Sequence, residues 1–162
     1  MEKGKEPLPE SSSLAALCTM MGGDEYELPS WSAHDLSAIL QHLLKAPVEP
    51  ELAEGGYCPP AAPADGHAWT FGDVLERRDM PREMLVRMKE YAKRAMDVGD
   101  TLPRDAAKAL YIAVIAHARA CGHSAVSSLT AAGVERLGRW CMAQSWVPPL
   151  MRAAVREGMR VP

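Results

Sequence analysis

Apolar residues recur at helical spacing through most of the chain. Between Ser32 and Pro47 they fall at Leu36, Ile39, Leu40, Leu43 and Leu44, the i, i+3, i+4, i+7, i+8 order that gathers one stripe on one helix face. Ser32 followed by Asp35 has the pattern of a capping box, Trp31 and Leu36 are placed as a hydrophobic staple, and Pro47 stops the helix. Thr70 with Asp73 predicts a short helix over 71–78. Asp79-Met80-Pro81 opens the next, whose inward stripe is Met84, Leu85, Met88, Tyr91, Ala92 and Ala95 and whose stop is Gly99. Its other face is charged, with Glu83–Arg87 and Glu90–Arg94 at the favourable i, i+4 spacing.

Asp100 or Thr101 with Pro103 then opens a helix that is apolar nearly all round between Ala106 and Ala118, the pattern of a helix at the middle of a bundle. Its alanines let neighbours approach closely, and Gly122 ends it. Thr130 starts a further helix facing inward with Val134, Leu137, Trp140 and Cys141, and Pro148-Pro149 starts the last, with Leu150, Met151, Ala154 and Val155. Apart from Ala125-Val-Ser-Ser-Leu129, no run alternates as a strand does.

The pattern therefore predicts an all-α fold, a compact bundle of about five helices with an N-terminal acidic, proline-rich leader carrying one amphipathic helix. Residues 1–30 read as a disordered or weakly ordered tail. Within it Leu14, Leu17, Cys18 and Met21 form a short apolar stripe that needs a partner surface. Residues 31–69 read as the amphipathic helix plus a proline-rich strap, and 70–162 as the helical bundle domain, expected to stay folded without residues 1–69.

Composition narrows the class. With 162 residues, 48% of them hydrophobic and 24% charged, the chain can bury one core and has room for a tail. No apolar run reaches the roughly 18–20 residues of a bilayer span, so no membrane partner is expected. The net charge of −3 hides an asymmetry: residues 1–69 hold three cations against eleven anions, and residues 70–162 hold fifteen against ten. An acidic leader on a basic body predicts contact between the two, or a basic surface kept for an anionic partner. Cys18, Cys58, Cys121 and Cys141 are widely spaced with no C-x-x-C, and Met-Glu-Lys-Gly-Lys-Glu is no positive secretory start, which together predict reduced thiols in the cytoplasm.

Candidate chemistry is sparse. His117, Cys121 and His123 have the spacing of metal ligands, yet His117 falls in an apolar stripe and no fourth ligand lies nearby, so no metal or cofactor is assigned. Ser127-Ser128 with His123 lacks a nucleophile elbow, and no glycine-rich phosphate loop occurs. Without a catalytic constellation the chain reads as no enzyme. Arg152, Arg156 and Arg160 lie at i, i+4, i+8 beside a single acid, Glu157, and with Arg136 and Arg139 they are the candidate contacts to nucleic acid or another anionic partner. Ten methionines stand against one phenylalanine, and Met84, Met88 and Met151 are candidates either for an adaptable groove taking a partner helix or for plain core filling. The first functional reading is a non-enzymatic protein–protein interaction module, adaptor or regulatory, whose partner is another protein or a further copy of the chain. The alternative is a nucleic-acid-binding helical domain using the basic C-terminal helices.

Thr70-Phe-Gly-Asp-Val-Leu, Leu102-Pro-Arg-Asp-Ala-Ala-Lys-Ala-Leu-Tyr-Ile-Ala and Ser128-Leu-Thr with Gln144-Ser-Trp-Val-Pro-Pro together resemble a group of small helical bacterial proteins of unassigned function, over roughly residues 31–158. The resemblance implies a helical body with a variable leader and carries no site residues across.

Overall fold

The computed structural model describes residues 31–48, 63, 66–98 and 102–161. The expected tail at 1–30, most of the proline-rich strap, the stop at Gly99 and the cap at Asp100 or Thr101 lie outside them. Six α-helices carry the described fold: α1 (Ala33–Leu44), α2 (Phe71–Glu76), α3 (Arg82–Val98), α4 (Arg104–Ala120), α5 (Ala131–Met142) and α6 (Pro149–Met159), with a 3-10 turn at Ser124–Val126. No strand occurs among the described residues. A lone antiparallel bridge pairs Pro47 with Thr70.

The helix starts follow their side chains. Ser32 accepts from the Asp35 N–H, Thr130 accepts from the Gly133 N–H, and Thr70 with Asp73 completes a reciprocal capping box. α6 starts on proline at its first position, where the missing N–H leaves no bond unmade. Helix α2 ends at Glu76, two residues short of the expected end. Arg77 turns extended there, and its guanidinium grips Asp79 at 2.6 Å and lies over the Trp69 ring. The ambiguous stretch near Ala125 takes up the 3-10 turn, fixed by Lys89 Nζ donating to the Val126 carbonyl at 2.8 Å.

Helix α4 is the axis of the molecule, buried continuously from Ile112 to Ala118 and in contact with every other helix. Its alanines set the spacing. Gly158 of α6 sits directly on the backbone of Ala116, so the two helices approach as closely as backbones can. Helix α1 belongs to the same core: Leu36, Leu40, Leu43, Val48 and Trp69 are buried in one cluster with α3, α4 and α6. The N–H of Phe71 donates to the Ala46 carbonyl and that of Val48 to the Trp69 carbonyl, at 3.1 and 2.7 Å, tying the end of α1 to the start of α2. Among the described residues, those from 31 to 69 therefore share one core with the helices that follow. A body bounded at residue 70, as the proline-rich composition of the strap suggested, would lack five of its core side chains.

A candidate docking groove between α1 and α3

Helix α1 packs on α2 and α4 rather than closing on α3 along its length, and the space left between α1 and α3 is a groove. Two adjoining concavities make it up. One, of about 400 Å³, is lined by Ala38, Ile39, His42, Leu43, Ala46, Tyr91 and Leu102. The other, of about 350 Å³, takes Leu43, Ala46, Pro47, Val48, Phe71, Met88 and Tyr91, with Arg87, Glu90 and Arg94 on its rim. Leu43, Ala46 and Tyr91 are common to both, so the two run into one another.

Sequence explains each wall. On α1 the lining positions 38, 39 and 42 flank the buried stripe at Leu43, and Ala46 continues the wall just past the helix end, because the apolar arc of this helix is wider than α2 and α4 cover. On α3, Arg87, Tyr91 and Arg94 follow one another at i, i+4, i+7, with Glu90 between. Tyr91 is fixed by Phe71, their ring centroids 5.4 Å apart and tilted at 57°. The result is an apolar trough with two guanidinium groups and one carboxylate along one edge. Its lining holds no nucleophile beside a base. Such a surface can take apolar side chains from an approaching segment and favours carboxylates next to them.

The methionines singled out from sequence are placed otherwise. Met84, Met88 and Met151 are each 0% exposed, so they fill the core; Met88 alone backs the groove, beneath its floor. None of the three offers surface to a partner helix.

The basic residues separate too. Arg152 is half-buried and donates to the Met142 and Gln144 carbonyls at 3.0 and 2.8 Å, satisfying the end of α5. Glu157 pairs with Arg78 at 2.7 Å and with Arg160 at 3.5 Å, and Glu135 pairs with Arg139. Arg136 and Arg156 remain exposed with no ion pair among the described residues. The i, i+4, i+8 stripe is therefore no uniform cationic face.

His117, Cys121 and His123 do converge, on the turn between α2 and α3. His117 Nε2 lies 3.5 Å from Cys121 Sγ, the Cys121 thiol donates to the Arg77 carbonyl, and the His123 ring donates to the Met80 carbonyl at 3.0 Å. Burial lowers His117 below its ordinary value against the pull of hydrogen bonds to backbone at Val74 and Arg77, and burial raises the Cys121 thiol. Both are held neutral, which suits a structural clasp and not a thiolate nucleophile. Among the described residues no group of three or more His, Cys, Asp or Glu side chains is placed to hold a metal ion. Ser127 Oγ accepts from the Leu129 N–H, a local turn contact.

Sequence reading missed the groove. Its one signal was the breadth of the α1 stripe, with Ile39 and Leu44 at the edges; the bridge that brings Val48 and Phe71 to its other end is long-range and leaves no local trace. No helix among the described residues is long and apolar enough to cross a membrane. Compared with known proteins, the chain matches no family model, no curated protein and no solved structure.

Proposed function

We propose that the protein is a non-enzymatic protein–protein interaction module, adaptor or regulatory, whose docking surface is the α1–α3 groove and whose partner offers an acidic amphipathic segment. The observation that carries this reading is the groove itself: an open trough about as long as two helical turns, apolar on its floor around Leu43, Ala46 and Tyr91, with Arg87 and Arg94 on its rim. Cys121 and Cys141 are free thiols, in keeping with a reducing, cytoplasmic setting.

The test uses a fluorescein-labelled 16-residue peptide with leucines at i, i+3, i+4 and i+7 and glutamates between them, titrated into the full chain. Binding is expected, weakened about tenfold or more by Tyr91→Asp and several-fold by Arg94→Glu, and unchanged by Arg136→Glu with Arg156→Glu. Peptide binding that ignores Tyr91→Asp in a variant with an intact helical spectrum overturns the groove. Nucleic acid is tested beside it with a labelled 20-nucleotide single strand at low salt. Tight binding lost in the Arg136→Glu, Arg156→Glu variant replaces this reading with the nucleic-acid one, since those two are the exposed cations of α5 and α6 without ion pairs among the described residues.

A further inference from the structure

The α1–α3 groove has a matching segment in the same chain. Leu14, Leu17, Cys18 and Met21 stand at i, i+3, i+4, i+7, one apolar stripe about 12 Å long if helical. The groove wall runs from Ala38 on α1 to Ala46, two residues beyond the end of that helix, a comparable length. Charge agrees: residues 1–30 hold two lysines against six acids, three of which (Asp24, Glu25, Glu27) follow the stripe closely, and the groove rim carries Arg94 and Arg87 against one acid, Glu90. Reach agrees as well. Nine residues separate Met21 from Trp31, ten Cα–Cα steps that span up to about 33 Å, well beyond the roughly 18 Å length of α1.

We infer that residues 14–21 dock in this groove in the free protein, laying Leu14, Leu17 and Met21 on its apolar floor, so that the chain occupies its own docking surface until a partner segment displaces it. This rests on the groove being a docking surface and adds its regulation. Tethering favours the internal segment: one joined by a short link acts at an effective concentration of about millimolar, so even weak pairing keeps it seated and a partner must outcompete it.

The experiment is disulfide trapping in the full chain. Cys18 is already present, Cys58→Ser removes a competing thiol, and His42→Cys puts a thiol on the groove wall. Mild oxidation is expected to join residues 18 and 42 within single chains, in a yield that does not fall on hundredfold dilution and that drops several-fold with Leu14→Asp and Leu17→Asp. Glu135→Cys on α5 in place of His42→Cys is the control and is expected to stay unlinked. Equal linkage at both positions, or linkage only between two chains, overturns docking within the chain, the second result giving the groove to another copy. The labelled peptide separates this inference from the reading beneath it. With the leader seated, the Leu14→Asp, Leu17→Asp variant binds the peptide about tenfold more tightly than the natural chain. Equal binding in both, still lost on Tyr91→Asp, removes the leader and leaves the groove; binding indifferent to Tyr91→Asp removes the groove itself.

Discussion

Gly158 on α6 lies against the backbone of Ala116 on α4, and a Cβ there would fall on Ala116 Cα and its carbonyl group. Backbone cannot step aside as the tip of a side chain can, so Gly158→Ala forces the two most intimate helices apart. It is expected to destabilise by about 3 kcal/mol or more. Gly133→Ala is the contrast, because its Cβ would meet only ordinary contacts with Thr130 and Leu129; a change below about 1 kcal/mol is expected, with urea midpoints separating the two. His117 gives a second prediction. It is 2% exposed, and burial lowers its proton affinity below the ordinary value of 6.5. The unfolded chain therefore takes up a proton in a range where the folded one does not. The stability this neutral imidazole contributes is complete above pH 6.5 and is lost as the pH falls through the lowered folded value. In His117→Gln, the deficit in unfolding free energy relative to the natural chain should be largest at pH 7.5 and shrink toward pH 5.5; a deficit that stays constant would mean that His117 does not titrate with folding.

At the scale of elements, what could be read from sequence was what local chemistry decides. Ser32, Thr70 and Thr130 sit at the caps where their patterns placed them, and the alanine-rich helix is the central one. What could not be read was decided by side-chain contacts that the helical period does not show. Helix α2 ends early because Arg77 finds Asp79 and Trp69 instead of a further turn. The arginine stripe of α6 shows the same limit. Its spacing reads as one cationic face, but Arg152 bends to the carbonyls that end α5, a contact that depends on how the α5–α6 turn folds. Three residues alike in sequence should thus behave differently. Arg152→Ala is expected to destabilise by about 1–2 kcal/mol, since the Met142 and Gln144 carbonyls lose a charged donor. Arg156→Ala, on an exposed position, should stay within about 0.5 kcal/mol. Equal effects in thermal melts would mean that Arg152 is not a cap.

For the whole molecule, the place where the body begins decides which truncations survive. Composition draws the line at the proline-rich strap, because prolines and glycines there cannot build a core. Packing puts described residues on its N-terminal side into the core: Leu36, Leu40 and Leu43 enter the cluster formed by α3, α4 and α6, while Val48 and Trp69, on either side of the strap, are buried together and joined backbone to backbone. Removing residues 1–69 therefore strips five buried apolar side chains, each worth roughly 1.5–3 kcal/mol when fully buried, from a domain whose whole stability is about 5–15 kcal/mol. Such a fragment should be unfolded or aggregated, with a broad non-cooperative melt. Removing residues 1–30 leaves every one of these groups in place, and that fragment should melt cooperatively within a few degrees of the full chain. The same cut uncovers the groove. If the leader is its occupant, the shorter fragment binds the labelled amphipathic peptide more tightly than the full chain and self-associates as its concentration rises, measured by sedimentation. A fragment that melts normally, stays monomeric and binds the peptide no better would mean that the leader and the groove, although matched in length and charge, do not meet.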